Sequence, residues 1–378
     1  MALSPNRLQN QRILFLSEYY SPHWTGIAQS TLNWCQHLKK NNEVSVLTTQ
    51  YKPELPLQEN IDGIRVIRTK SLLKFTRSFY SLEALFQLIK LVKRFDVVII
   101  ACPHINILFF SLILKFFKKP FIIFHHGDII FPNSPLLLDR IKKRIIENTF
   151  DLLTHISMRL ADSVCTYTLD YAENSRVLRR HLSKFTMVRP PIPNYAHEAR
   201  SFDKETQLTD LKNSSYKIIG FAGRFVEEKG FDILFESIPY VIDKLPKCKF
   251  VFAGEVNMGY ENFFEKNILL FEGIKEHLIL LGKLDHLQMW RFYSLLDIFV
   301  LCSRSDCFAL TQAEAAMCHT PIVVSDIPGA RVLVKTTGFG TVVPPNDPRG
   351  LAEGIVRVLK NEKDYDFPAV EAFLNPVF

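Results

Sequence analysis

The hydrophobic positions fall into short unbroken runs, separated by longer stretches in which apolar residues recur every three or four places. In the first half the runs are residues 12–17, which include ILFLS, then 44–48, 97–101 and 121–124. Each is mostly apolar and too short for a helix, which is the pattern of a strand buried in a sheet. A polar and aromatic loop, 18–25, follows the first run and leads into a helix expected from about 26 to 40. Residues 189–215 interrupt the alternation with Pro190, Pro191, Pro193 and a polar, charged tail, a linker composition. A second series of runs then occupies 217–222, 249–253, 278–281, 298–302, 321–324 and 341–343. Strand and helix alternating twice predict two doubly wound α/β domains in tandem. The expected boundaries are a first domain over 1–195, a linker over 196–215, a second domain over 216–362, and a segment over 363–378 returning toward the first domain. No short internal repeat or low-complexity tract is present.

A chain of 378 residues is long enough for two cores. Its 47% hydrophobic and 22% charged residues are ordinary for a globular protein, whereas 31 Phe is a heavy load. No leading segment has the form of a secretory signal, and the most apolar stretch, 105–117 (INILFFSLILKFF), carries Lys115 and is too short to span a bilayer. Seven cysteines without zinc-type or redox-type spacing read as structural thiols in a reducing compartment. A net charge of +7 suits an anionic substrate or surface, and no nucleic-acid motif accompanies it. Residues 65–94 concentrate Arg65, Arg68, Lys70, Lys74, Arg77, Lys90, Lys93 and Arg94 against the single acid Glu83, with Leu82, Leu85, Phe86 and Ile89 at helical spacing. Two readings stand side by side. One is a helix packed on the sheet with a basic solvated face; the other is a basic amphipathic surface against an anionic membrane, toward which Phe75, Phe79 and the Phe-rich 105–117 stretch lean. The expected location is the cytoplasm, with membrane association on the cytoplasmic face.

Two clusters carry chemistry. In residues 303–329, SRSDCFALTQAEAAMCHTPIVVSDIPG, Asp306 falls on a loop at the carboxyl end of a strand and Glu314 one turn inside the next helix, where open α/β sheets bind ligands. The helix start offers amides to a phosphate, and a carboxylate accepts both hydroxyls of a ribose diol. In residues 221–230, FAGRFVEEKG, Gly223 allows a tight turn and Arg224 and Lys229 flank a helix start, a clamp for a diphosphate. Taken singly, Asp306 also suits a helix cap, Glu314 a solvated helix position, and Arg224 and Lys229 ordinary surface charges. Glu18, His23 and Asp128 fit caps or turns better than catalysts. No metal-ligand cluster stands out, and no cofactor is expected.

The order and spacing of these pieces resemble the retaining glycosyltransferases of family four. The first domain supplies the strand, loop and helix around Gly26 and the pair His126 and Gly127 after FIIFH; the second supplies Gly223, Arg224, Glu228, Lys229 and Gly230, then Ala253 and Gly254, Leu281 and Gly282, Asp306 with Glu314, and Gly329, Gly338 and Gly340. The resemblance implies a GT-B fold, two Rossmann-like doubly wound domains facing a central cleft, and transfer of a hexose-type unit from a nucleoside diphosphate sugar to an acceptor hydroxyl with retention. It assigns the diphosphate to Arg224 and Lys229 beside Gly223, the ribose to Glu314, the base to Gly282, Lys283 and Leu284, and the sugar to Asp306. The amides of Phe308, Ala309 and Leu310 would face the distal phosphate, Gly26 would approach from the first domain, and His126 would lie near the transferred sugar, unless it is a structural strand-end histidine like its neighbour His125. Polysaccharide or lipid-linked glycan assembly fits the basic first domain. Asp306 stands where the family has glutamate, Cys307 and Ala309 replace glycines beside Phe308, Ile27 replaces one after Gly26, and His319 replaces one before Thr320 and Pro321. Losing glycine removes free access to positive φ. These departures keep open a degenerate nucleotide-sugar binder without turnover, a nucleotide-sugar epimerase of the same fold, and a purely structural or interaction protein.

Overall fold

A computed structural model describes residues 3–23, 25–75, 78–132, 134, 136–196, 207–256, 261–360 and 365–374. The chain divides into two compact units, Met1–Pro191 and Ile192–Val377. The first is built on strands β1 (Arg12–Leu16), β2 (Glu43–Thr49), β3 (Gln58–Ile61), β4 (Ile64–Thr69), β7 (Val97–Cys102), β8 (Phe121–His125), β9 (Ser163–Thr166) and β10 (Phe185–Met187), with a separate hairpin of β5 (Leu73–Phe75) and β6 (Ser78–Tyr80). Its eight-stranded order is β10-β9-β8-β7-β1-β2-β4-β3, parallel throughout except for β3 against β4. Helices α1 (Gly26–Leu38), α2 (Leu82–Leu91), α3 (Ile107–Phe116), α4 (Leu137–Leu160) and α5 (Leu169–Asn174) connect them. Leu88, Phe110 and Met158 share a core with Leu14, Val98 and Ile123, so α2, α3 and the end of α4 cover one face. Phe124, which alternates with Ile123 along β8, meets Trp34 of α1 on the other.

The second unit is a six-stranded, wholly parallel sheet ordered β13-β12-β11-β14-β15-β16. Its strands are β11 (Lys217–Ala222), β12 (Cys248–Ala253), β13 (Leu278–Gly282), β14 (Ile298–Leu301), β15 (Ile322–Ser325) and β16 (Gly340–Val343). Much of the phenylalanine load is here: Phe225 lies 4.5 Å from Phe231 and 5.7 Å from Phe252 between ring centroids, and Phe235 lies 5.3 Å from Phe252. In each unit the strand order reverses beside its first strand, between β1 and β7 and between β11 and β14. Those reversals are where connections leave in opposite directions and a crevice opens at the strand ends.

Several expectations change. Residues 65–94 are not one basic element: β4, the hairpin and α2 share them. Arg68 is buried, its guanidinium donating to the carbonyls of Ser21 and Pro56 and pairing with Glu59. On α2 the face turned to the core is Ala84, Leu88 and Leu91, whereas Leu82, Phe86 and Ile89 are exposed. Arg77 and the side chain of Phe75 lie outside the described residues. Within the stretch read as linker, Gln207–Asn213 is helical and 197–206 lies outside the described residues. Of the segment 363–378, the helix Phe367–Leu374 contacts the helices Leu310–Met317 and Val332–Thr337, while 363, 364 and 375–378 lie outside the described residues. All seven cysteines are buried thiols. Among the described residues no helix is long and apolar enough to cross a membrane.

The ring cluster gives a direct test. Phe225 is fully buried, so Phe225→Ala should lower the unfolding free energy by about 3–5 kcal/mol in urea; a loss below about 1 kcal/mol would mean that the cluster does not hold the second sheet to its helices.

Candidate active site

At the β11/β14 reversal the chain folds tightly. After β11, residues Glu227–Lys229 form a single 3-10 turn, and Gly230 closes it at φ 68 and ψ 25 before the helix Phe231–Lys244. A Cβ on Gly230 would collide with the Cys302 carbonyl just beyond β14. Glycine is required there twice, for the left-handed backbone and for the close approach. The result is that Lys229, from one side of the reversal, reaches Asp306, from the other, with Nζ 2.6 Å from Oδ2. Burial works against the ammonium, but Asp306 and Glu228 outweigh it and the Lys229 pKa is raised.

Asp306 has a second duty. Its Oδ1 accepts the amides of Ala309 at 2.8 Å and Phe308 at 3.4 Å, so it braces the loop that leads into the helix Leu310–Met317 rather than capping the helix itself. Two of the amides expected to face a phosphate are therefore turned to Asp306 here. Ala309 adopts φ 59 and ψ 92, and His319 φ 64. The lost glycines have not kept these positions out of the left-handed region. Packing holds them instead: Phe308 stacks on Phe373 with centroids 6.4 Å apart, His319 on Phe367 at 3.5 Å, and the Gln312 side-chain amide donates to the carbonyls of Phe308 and Ala330.

Glu314 is half-buried in the next turn of the helix, and the Tyr293 hydroxyl donates to its Oε2 at 2.9 Å. Burial pushes its pKa up to about 7, against the pull of that hydrogen bond. Arg224 is half-buried just past β11. Gly282, at φ 68, ends β13, followed by exposed Lys283 and half-buried Leu284. The sequence reading missed Arg304. Its guanidinium forks onto both carboxylate oxygens of Asp232 at 2.9 and 2.7 Å and donates to the Glu227 carbonyl at 2.6 Å, while its amide donates to the Glu228 carbonyl at 2.8 Å. It ties the turn carrying Lys229 to the loop carrying Asp306. An Arg two places before Asp306, with an acid in the first turn of the helix after Gly230, is the pattern that could have announced it.

In the first unit the structure separates the two histidines. His125 Nε2 lies 3.0 Å from Asp128 Oδ1, and Asp128 also accepts from Ser175 Oγ at 2.8 Å and the Arg176 amide at 2.7 Å. Burial would discharge His125, but Asp128 outweighs it and raises the pKa. This pair is a buried structural knot. His126 instead stacks on Phe124 at 4.5 Å, and burial, then the His125 charge, pushes its pKa down to about 3, so its imidazole is neutral. Gly26 opens α1, where a Cβ would meet no atom. Glu18 is buried beyond β1, accepts the Phe79 amide, and is pushed up to about 8 by burial. Among the described residues no group of His, Cys, Asp and Glu could hold a metal ion.

Residues 24–182 match Glycosyltransferase Family 4, and residues 203–369 match Glycosyl transferases group 1. An uncharacterized glycosyltransferase of Methanocaldococcus jannaschii is 23% identical over 90% of this chain and 84% of its own. The phosphatidyl-myo-inositol mannosyltransferase of Mycobacterium leprae is 24% identical over 61% of this chain and 69% of its own. Anabaena HepE, solved in complex with UDP and glucose, superposes with a TM-score of 0.71 at 14% identity, covering 97% of this chain and 94% of that one. The chain belongs to glycosyltransferase family four: it is a glycosyltransferase with the GT-B fold of two Rossmann-like units.

The two left-handed positions predict opposite responses. Gly230→Ala should destabilise the protein by more than the about 1–2 kcal/mol of left-handed strain, because of the added collision. Ala309→Gly relieves similar strain but frees the unfolded chain by about 0.4–1 kcal/mol, so it should be neutral or stabilising by up to about 1.6 kcal/mol. Urea midpoints check both, and a destabilising Ala309→Gly would show that Ala309 is not strained.

Proposed function

We propose that this glycosyltransferase takes a nucleoside diphosphate hexose as donor and transfers the sugar, with retention, to an acceptor hydroxyl on a glycan or lipid-linked glycan. The observation that carries the reading is the Lys229–Asp306 ion pair, with Glu314 one helical turn beyond it, at the strand reversal of the second unit. An ammonium paired with a carboxylate beside a helix start exchanges that partner for a phosphate at low cost, since both are anions. Donor binding then releases Asp306 toward the sugar hydroxyls and the amides it holds toward the distal phosphate. Arg224 and Lys229 neutralise the diphosphate as its charge grows, and Glu314 accepts the ribose hydroxyls with the base beside Gly282, Lys283 and Leu284.

In the transfer, the bond from the anomeric carbon to the diphosphate oxygen breaks and a bond to the acceptor oxygen forms on the same face. The acceptor proton passes to the departing phosphate oxygen, so no protein nucleophile is assigned. His126, neutral, is suited to hydrogen-bond the sugar rather than to carry charge. The Anabaena neighbour's UDP makes uridine diphosphate the first nucleotide to test. The mycobacterial relative's name supports a membrane acceptor, and with it peripheral attachment to an anionic membrane on the cytoplasmic face.

Melting temperatures with a panel of nucleoside diphosphates and their sugars test the donor. One nucleotide should raise the melting temperature, and Arg224→Ala and Glu314→Ala should each lose most of that rise; a rise surviving in both would put the donor elsewhere. The Glu314 carboxyl is largely protonated below about 7, and only its ionised form accepts two hydroxyls. Affinity for the nucleotide should therefore climb as pH rises through about 7, more steeply in the wild type than in Glu314→Gln, whose remaining slope belongs to the phosphate. Equal slopes would remove Glu314 from the ribose.

A further inference from the structure

We propose that the outward face of α4 is a docking surface for an anionic bilayer. This deepens the membrane part of the proposed function and rests on it, not on the donor chemistry. α4 is 24 residues long, and its buried positions from Phe150 onward seat the second half on the sheet core. In the first half Leu138, Ile141 and Ile145, continued by Leu152, are all exposed, Leu138 by 77%. Their spacing of three, four and seven puts them on one stripe. A helix anchored on the sheet by its second half while its first half turns an apolar stripe to solvent calls for a second apolar phase.

Charge decides which phase. Arg140, Lys142 and Arg144 are exposed along the same segment. Beside the stripe, Arg144, Leu152, His155, Arg176, Arg179 and Arg180 line a cavity of about 310 Å³. Arg176 is held by Asp151 and Glu147, whereas Arg179 and Arg180 are exposed and have no acidic partner among the described residues. An apolar stripe with a cationic rim matches acyl chains beneath anionic phosphates, the aliphatic tips entering the boundary and the guanidinium groups staying at the headgroups. A second copy fits poorly, because a seam through Leu138, Ile145 and Leu152 would bring Lys142 and Arg144 against like charges. α4 follows β8, the strand that ends beside His126, so docking would hold a lipid-linked acceptor on the strand-end side of the first unit.

Flotation of the full chain with vesicles of phosphatidylcholine, or of equal parts phosphatidylcholine and phosphatidylglycerol, tests this. Binding is expected to the anionic vesicles and not to the neutral ones. Leu138→Ser with Ile145→Ser should lower it by roughly tenfold or more, and Arg179→Glu with Arg180→Glu by about tenfold. Leu269→Ser, at an 85% exposed position of the second unit, should leave it unchanged, as should Phe116→Ser on α3. Equal binding to both vesicle types, flotation unchanged in the α4 variant, or a dimer that this variant converts to monomer would overturn the proposal. Stabilisation by uridine diphosphate, measured on the same proteins, separates the two readings: if it fails everywhere while flotation follows the α4 pattern, the donor assignment falls and the docking surface stands.

Discussion

A strand buried on both faces has no room for polar side chains along its length, so a parallel sheet moves its chemistry to the strand ends. The second unit obeys this, whereas the first also buries polar groups along its strands, Ser45 in β2 and Arg68 in β4 among them. β11 and β14 carry only apolar and small residues from Ile218 to Ala222 and from Ile298 to Leu301, and the charged groups Arg224, Lys229, Arg304 and Asp306 crowd just past them. Because the strand order reverses between these two strands, their following loops diverge and leave the ends open. The architecture thus selects the place of the site before any catalytic residue is considered.

What the place contains is a set of charges balanced against one another. A mostly buried ion pair such as Lys229 with Asp306 gives little net stability, because desolvation of both groups offsets their attraction. Arg304 differs, since its forked contact with Asp232 and its bonds to the turn backbone tie it to several groups of the fold at once. Lys229 is held through one carboxylate oxygen, and Arg304 through both oxygens of Asp232 and a backbone carbonyl.

The strand runs were legible in the sequence because continuous apolar burial leaves a continuous apolar string, and the places of Lys229 and Asp306 just past strand ends were legible because they follow those strings. β4 was obscured by Arg65 and Arg68, the second of which is buried only because two carbonyls and Glu59 receive its guanidinium. Such a long-range solution leaves no local trace. The departures from glycine at Ala309 and His319 suggested a changed backbone. The structure instead keeps the backbone and braces it with Phe373 and Phe367 of the last helix, some fifty residues away in sequence. His125 and His126 were indistinguishable as neighbours, since alternation along β8 alone sends one to Asp128 and the other to Phe124.

Phenylalanine and leucine counts say nothing of which side of a helix they occupy, and each unit buries some of these residues and exposes others. In the second unit Phe225, Phe231, Phe235 and Phe252 close on one another and are removed from water. In the first, α2, α3 and α4 seat Leu88, Phe110 and Met158 on the sheet and present Phe86, Phe116 and Leu138 outward. Only the neighbours distinguish a core-forming pattern from an interfacial one. Arg140, Lys142 and Arg144 run beside the exposed stripe of α4, and cations beside apolar tips are costly against another protein core yet favourable at an anionic lipid surface. The basic excess of the chain therefore informs on function through where it sits against apolar surface, which net charge cannot express.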